Sequence, residues 1–100
     1  MKELEQETEL AQGLVVAEFW ADWCGPCKIM KPAVEEVAQE EGSKATFLAV
    51  NADNFINIAK KFGIRSIPSL VIFKEGQLIN RLTGLSTKEQ IKEFLLANIP

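Results

Sequence analysis

Apolar residues are most concentrated in one nearly continuous run, Leu14–Ala21, which is rich in β-branched and aromatic side chains. A short run without polar alternation is typical of a central strand that is buried on both faces of a sheet. Glu18 is the only charged residue within the run. The pattern therefore predicts a buried strand that carries one ionisable side chain.

A helical spacing follows directly, from about Cys27. Apolar residues recur there at intervals of three and four, as on one helix face, at Met30, Ala33, Val34, Val37 and Ala38. Gly42 stands where glycine commonly ends a helix. Pro32 should kink this helix, because proline lacks the N–H of the i→i−4 hydrogen bond.

The rest of the chain carries further strand signals. Apolar runs predict strands at Ala45–Asn51 and at Leu70–Phe73. The pair Glu75-Gly76 predicts a hairpin turn, with Leu78–Leu82 as the partner strand.

Two more helices are predicted between and after these strands. Asp53 or Asn54 can cap a short helix, and Ser86–Glu89 has the spacing of a capping box that opens the last one. The apolar stripes are Phe55, Ile58, Ala59 and Phe62 in the short helix, which Gly63 ends, and Ile91, Phe94, Leu95 and Ile99 in the last.

The N-terminal segment Met1–Gln12 is interpreted as one helix with Leu4, Thr8 and Ala11 facing inward. The element order is then helix–β–α–β–α–β–β–α. Crossover connections imply parallel strands and the hairpin adds an antiparallel pair. The prediction is an α/β fold, with a mixed sheet of four, possibly five, strands between helices, in one domain over residues 1–100.

Composition excludes several classes of protein. The 100 residues are 47% hydrophobic and 25% charged, as in an ordinary globular domain, and the net charge of −3 argues against nucleic-acid binding. The N-terminus lacks the apolar segment of a signal peptide, and no apolar run is long enough for a membrane span. We therefore expect a cytoplasmic monomer without nucleic-acid or membrane partners.

Candidate chemistry is concentrated in the two cysteines, Cys24 and Cys27, which form a C-x-x-C motif in a chain without histidine. Disulfide exchange needs an accessible thiolate close to a second thiol. The motif lies between a buried strand and a helix start, where unpaired N–H groups stabilise an anion. We expect Cys24 to be an exposed nucleophile with a lowered pKa and Cys27 a more buried resolving thiol. Gly25 allows close approach of a partner chain, and Pro26 suits the first helical turn.

Other interpretations of the pair remain open. A structural disulfide would close a very short loop and remove little unfolded-state entropy. A metal site normally takes four ligands, so two cysteines without histidine would need a second chain, as in an interchain metal or iron–sulfur carrier. The cysteines could also be two unrelated core residues, or the chain a binding module in which redox state matters little.

Three segments together resemble the thioredoxin family. Phe19–Lys28 contains Trp-Cys-Gly-Pro-Cys, like the family's active-site segment, and Gly63–Ser69 resembles its second signature. Gly84 falls where the family has a glycine after its last strand. The resemblance extends from about Leu14 to the C-terminus.

This resemblance implies a thioredoxin fold and a protein-disulfide reductase that needs no cofactor or metal besides its own disulfide. Cys24 would attack client disulfides, Cys27 would resolve the mixed disulfide, and a thioredoxin-reductase-like flavoprotein would return the electrons. The family's Ile67–Pro68 bond is cis, and Ile67 and Pro68 pair with the substrate backbone. Trp23 would take part in docking and Gly84 would border the site.

The chain departs from the family pattern at two places. The family commonly has a buried aspartate that takes the proton of the second cysteine, and here the position is Glu18, which we expect to be that base with a raised pKa. A lysine often faces this carboxylate from the next strand, where this chain has Ala49. The family's first strand is predicted to be missing or vestigial, which would leave Ala45–Asn51 at a sheet edge.

Overall fold

The computed structural model describes residues 1–100 and contains one five-stranded sheet with helices on both faces. The strands are β1 (Lys2–Glu3), β2 (Leu14–Trp20), β3 (Thr46–Asn51), β4 (Ser69–Lys74) and β5 (Gln77–Thr83). The helices are α1 (Gly25–Glu41), α2 (Ile56–Lys61) and α3 (Lys88–Asn98). The order β1-β3-β2-β4-β5 has parallel β1, β3 and β2, while β4 and β5 are antiparallel to their neighbours. The predicted mixed α/β sheet is confirmed.

Strand β2 divides the core into two layers because successive side chains point to opposite faces. Val15, Ala17 and Phe19 pack with residues of α2 and of the N-terminal segment. Val16 faces the other layer, which contains the buried residues of α1 and α3. By the same alternation Glu18 points into the layer of α1, which is how a charged side chain comes to lie under that helix.

The N-terminal segment is not the single helix that its composition predicts. It forms the two-residue strand β1 and a 3₁₀ helix at Glu7–Ala11. Leu4 and Leu10 are buried, whereas Thr8 and Ala11 are exposed. If this segment were a helix, the outer backbone N–H and C=O groups of β3 would have no partners. Pairing of β1 with β3 satisfies them, and this gain outweighs the weak helix propensity of the N-terminal residues.

The first strand is accordingly vestigial rather than missing, and β3 is not the edge of the sheet. β1 pairs with Leu48 and Ala49, and the N–H of Leu4 donates to the carbonyl oxygen of Ala49 at 2.7 Å. The expectation that Ala45–Asn51 forms the edge is therefore wrong. The edge on this side is β1 itself.

The predicted hairpin is confirmed, but two caps lie at different residues. Glu75 and Gly76 both have positive φ, as a tight two-residue hairpin requires. The predicted capping box at Ser86–Glu89 is displaced by one residue, because the Thr87 hydroxyl accepts from the Gln90 N–H and the Gln90 side chain accepts from the Thr87 N–H.

No helix has the length and apolar character needed to cross a membrane.

The predicted cap of α2 is also wrong. Asp53 and Asn54 make no side-chain cap, and the cap residue is Phe55. Instead the side-chain oxygen of Asn51 accepts from the N–H groups of Asp53 and Asn54, at 2.9 and 3.3 Å. These bonds form a tight turn directly after β3, and this turn lies beside the candidate site.

Candidate active site

The two cysteines lie at the junction of β2 and α1 and form a disulfide, with their Cα atoms 5.3 Å apart. Cys24 is the N-cap residue of α1, and Gly25 and Pro26 begin the helix. Proline is tolerated there because the first N–H groups of a helix have no intrahelical acceptor. The helix therefore begins two residues before the predicted start at Cys27, and its first turn carries the whole motif.

The two sulfur-bearing residues are equally buried, contrary to the expected difference. Cys24 is 3% exposed and Cys27 is 4% exposed. Both pack with Ala21 at the end of the β2 segment, and Ile67 covers them from the loop before β4. The Sγ atom of Cys24 lies 3.8 Å from the carbonyl oxygen of Ile67. In this disulfide form Cys24 is thus not the more exposed cysteine.

The helix start nevertheless distinguishes the two sulfur atoms. The backbone N–H of Cys27 donates to the Sγ atom of Cys24 at 3.1 Å, in the position where a serine or aspartate cap would accept. A thiolate on Cys24 would receive the same N–H and lie at the positive end of the helix dipole. This arrangement stabilises negative charge on Cys24 rather than on Cys27.

The loop before β4 supplies free backbone groups beside the disulfide. The Ile67–Pro68 peptide bond is cis, as predicted. Neither the N–H nor the carbonyl of Ile67 pairs with another backbone group, whereas the Pro68 carbonyl accepts from the Gly84 N–H at 2.8 Å. Gly84 has φ +94°, a backbone conformation that residues with a Cβ rarely adopt, although a Cβ there would meet nothing within 4 Å. Gly84 is thus required by its backbone conformation, and it lies next to the cis proline.

Trp23 is 71% exposed beside the disulfide, and its orientation depends on Asp53, which the sequence suggested only as a helix cap. The indole Nε1–H donates to Oδ2 of Asp53 at 3.0 Å. The two loops meet because β2 and β3 are parallel, with Trp20 paired to Asn51 and the Ala52 N–H donating to the Trp20 carbonyl at 2.8 Å. Because parallel strands end at the same edge of a sheet, an acid just after β3, such as Asp53, could have been recognised from the sequence as a candidate neighbour of Trp23.

Glu18 is buried under α1, as predicted for the proposed base. It is 3% exposed, and its Oε2 atom has no hydrogen-bond partner. Burial, which disfavours the ionised form, raises the pKa of Glu18 from 4.5 to about 7. The residue beside it on β3 is Ala49, so the neighbouring strand supplies no cation.

A cavity of about 260 Å³ connects Glu18 with the disulfide. Its lining residues are Met1, Glu3, Glu18, Trp20, Ala21, Asp22, Cys27, Lys28, Lys31, Glu35 and Ala49. Glu18 and Cys27 thus open into the same space, which is large enough for several water molecules. Glu3 lies far from the motif in sequence, and Lys31, although one helical turn after Cys27, belongs to no sequence signature, so only the folded structure places both at this cavity. No group of three or more His, Cys, Asp or Glu side chains is arranged to hold a metal ion.

The arrangement is suited to reversible exchange of disulfides. Dithiol–disulfide exchange needs a stabilised sulfur nucleophile, here the Sγ atom that accepts a helix N–H, and a second sulfur, which lies one helical turn further along. The site adds a neighbouring carboxyl group and free backbone groups that can bind an extended partner. Together with the fold, they define a thiol–disulfide oxidoreductase whose redox group is its own disulfide.

The family model described as Thioredoxin matches residues 1–97. The chain is 39% identical over 87 residues to the thioredoxin of Bacillus subtilis, covering 87% of this chain and 84% of that protein. It is 37% identical over 89 residues to a Staphylococcus aureus thioredoxin, covering 89% and 86%. With the mitochondrial thioredoxin-2 of Schizosaccharomyces pombe, identity is 46% over 78 residues, which is 78% of this chain and 58% of that one.

The solved structure of Malassezia sympodialis thioredoxin (Mala s 13) superposes with a TM-score of 0.85 at 33% identity, over 98% of this chain and 87% of that one. The chain belongs to the thioredoxin family. It is a thioredoxin-like dithiol–disulfide oxidoreductase with protein-disulfide reductase activity.

Proposed function

We propose that Cys24 is the nucleophile and Cys27 the resolving thiol in the reduction of protein disulfides. In the reduced protein the Cys24 thiolate attacks one sulfur of a client disulfide. The client S–S bond breaks, a new S–S bond joins Cys24 to the client, and the other client sulfur leaves as a thiolate. The observation that carries this assignment is the Cys27 N–H directed at the Sγ atom of Cys24, because it stabilises charge on that sulfur alone.

Glu18 acts as the base for the second step. Its carboxylate takes the proton of the Cys27 thiol through water in the shared cavity. The Cys27 thiolate then attacks Cys24, the mixed disulfide breaks, and the second client sulfur leaves as a thiolate. Two electrons pass to the client, and the protein is left with its Cys24–Cys27 disulfide. A pKa of about 7 suits this role, because the group accepts and releases protons near neutral pH.

The client binds as an extended segment across the start of α1. The unpaired N–H and carbonyl of Ile67 offer two backbone hydrogen bonds beside Cys24, and Pro68 and Gly84 fix the position of that loop. Gly25 is exposed, and a Cβ at this position would meet nothing within 4 Å, so it leaves space above the disulfide. Pro26 is exposed beside it.

Trp23 supplies an apolar docking face for clients and for the reducing partner. Its ring is mostly exposed, but Asp53 holds it in one orientation, which lowers the entropy lost on binding. We propose a thioredoxin-reductase-like flavoprotein as the source of electrons, with no cofactor bound to this chain itself. A reducing compartment suits such a dithiol carrier, and we propose that the protein works as a monomer in the cytoplasm.

The roles of the two cysteines are tested by trapping. Cys27→Ser should accumulate a mixed disulfide with a disulfide-containing client peptide, because the resolving thiol is missing. Cys24→Ser, the matched control, should form none. Mass spectrometry of the protein after reaction measures the adduct, and equal trapping by both variants would overturn the assignment.

The direction of electron flow is tested by turnover. Wild-type protein should reduce a dye-labelled disulfide peptide when dithiothreitol or a candidate flavoprotein reductase supplies electrons, and Cys24→Ser should be inactive. Activity with dithiothreitol but with none of the reductases would refute the proposed partner and leave the exchange chemistry standing. Full turnover by Cys24→Ser would refute the chemistry.

A further inference from the structure

Glu18 belongs to a row of side chains that crosses the sheet from its edge. The register pairs Glu3 of β1 with Ala49 of β3, and pairs Ala49 with Glu18 of β2. Paired residues in a sheet point to the same face, so both glutamates point toward α1 with an alanine between them. The small alanine leaves the space that the cavity occupies.

Helix α1 closes the cavity from above with residues one turn apart. Lys31 and Glu35 both line it, and they are four positions apart along the helix, so they lie on the same helix face. No carboxylate lies within 4.0 Å of the Lys31 ammonium group, and the ion pairs of the protein are formed by other lysines. The Lys31 charge is therefore not neutralised by a direct partner, and it acts across the cavity.

The charges that face Glu18 come from every element around the cavity. They are the amino group of Met1, Glu3 on β1, Asp22 in the loop after β2, and Lys28, Lys31 and Glu35 on α1, with the Cys27 sulfur beside them. When Glu18 is ionised, carboxylates outnumber cations around the cavity, so its charge depends on the positive groups that face it. The Oε2 atom of Glu18 lacks a hydrogen-bond partner in the protein, and the cavity beside it has room for water that can supply one.

We propose that Lys31 is the positioning residue for Glu18, whose charge across the cavity takes the place of a cation on the neighbouring strand, where this chain has Ala49. Lys31 stabilises the ionised carboxylate, and Glu3 and Glu35 oppose it. The proton that Glu18 takes from Cys27 then leaves through the cavity past Glu3 and Lys31. This inference rests on the proposed role of Glu18, but it makes a separate electrostatic claim.

The acid–base behaviour of the cavity agrees with this placement. Burial is the largest cause of the raised pKa of Glu18; the charge of Lys31 opposes the rise, while Glu35 and Glu3 add to it. Burial likewise raises the pKa of Glu3, and the nearby Trp20 indole and then the charge of Lys31 oppose the rise. One lysine therefore acts on two carboxyl groups that lie two strands apart.

The first experiment measures the titration of Glu18 directly, in the oxidised protein, where neither cysteine can titrate. Carbon-13 NMR of labelled glutamate carboxyl groups should show that Lys31→Met moves the Glu18 midpoint upward by about half a pH unit or more. Glu3→Gln removes a like charge and should move it downward. Lys60→Met, the matched control, removes an equal charge from α2 on the opposite face and should have little effect.

A rescue separates the charge from the side chain that carries it. Lys31→Arg should keep the wild-type midpoint, and adding Ala49→Lys to Lys31→Met should restore it, because the register places residue 49 beside Glu18. An unchanged midpoint in Lys31→Met would overturn the proposal, as would an equal shift in Lys60→Met. If the protein that carries Ala49→Lys does not fold, the comparison of Lys31→Arg with Lys31→Met tests the proposal without it.

The second experiment connects the charge to the reaction. The rate at which Cys27 resolves a preformed mixed disulfide on Cys24 should depend on pH, with a midpoint that Lys31→Met moves by the amount measured for Glu18. A moved NMR midpoint with an unmoved rate profile would show that Lys31 acts on Glu18 but that Glu18 is not the base. That outcome refutes the proposed function and leaves the electrostatic claim intact. An unmoved NMR midpoint refutes the Lys31 proposal alone.

Discussion

Replacing Glu18 by glutamine should remove a pH dependence of stability that the buried acid introduces. Glutamine keeps the length of the side chain and its capacity for hydrogen bonding, but it cannot ionise. The perturbation therefore isolates the free energy of holding a carboxylate in the layer beneath α1.

The magnitude follows from the pKa of Glu18 in the folded protein. The rise from 4.5 to about 7 corresponds, at 1.36 kcal/mol per pH unit, to about 3 kcal/mol. Below pH 4.5 the carboxyl is protonated in both folded and unfolded protein, and stability does not depend on it. Between pH 4.5 and about 7 the unfolded chain loses the proton while the folded protein keeps it, so stability falls as pH rises. Above about pH 7 both states are ionised, and the loss is complete.

The assay is denaturant unfolding of the oxidised protein, followed by far-UV circular dichroism at pH values from about 4 to about 9. The free energy of unfolding of Glu18→Gln should exceed that of wild type by an amount that grows by about 3 kcal/mol across this range. Glu93→Gln is the matched control, because Glu93 is exposed on α3 and makes no ion pair. Its free energy of unfolding should follow that of wild type.

Parallel curves for wild type and Glu18→Gln would refute the reasoning. They would mean that the carboxyl ionises as easily in the folded protein as in water. Burial would then impose no penalty on the charge, and Glu18 would not hold a proton near neutral pH. The same result would remove the basis for its role beside Cys27.

Two further predictions concern the surroundings of the disulfide, and a third concerns the N-cap of α3. Asp53→Ala removes the acceptor of the Trp23 indole and should raise the client KM about fivefold with little change in kcat, because a net hydrogen bond is worth about 1 kcal/mol; an unchanged KM would show that the ring needs no support. Gly84→Ala should lower the free energy of unfolding by about 1–2 kcal/mol because of its positive φ, and a neutral effect would contradict that cause. Thr87→Ala removes the oxygen that accepts from the Gln90 N–H and should lower the free energy of unfolding, measured by urea denaturation, by about 1 kcal/mol without altering turnover.

The sequence by itself determined the central elements and the reacting groups. The run Leu14–Ala21 predicts β2 because it must be buried on both faces, and the apolar spacing after Cys27 predicts α1 because it fills one helix face. The hairpin at Glu75-Gly76 was equally clear, since few residues adopt the required backbone. These signals are local, so the chain carries them without help from the fold.

Tertiary structure decided the features that depend on contacts between distant segments. The N-terminal segment has residues that favour a helix, yet it forms β1 because the backbone of β3 offers hydrogen bonds. The Asp53 carboxyl reaches Trp23 only because β2 and β3 end side by side. The equal burial of Cys24 and Cys27 likewise depends on Ile67, which packs against both from a distant loop, 43 residues after Cys24 along the chain.

The surroundings of Glu18 show the same division. Its position within an apolar run indicated a buried acid, and the absence of a cation at Ala49 was visible in the sequence. The sequence did not show which charges face Glu18, because Glu3 and Lys31 are brought to the cavity only by the strand register and by the packing of α1 across the sheet. Local patterns specify which residues can react, while the packing of distant elements sets the electric field in which they do so.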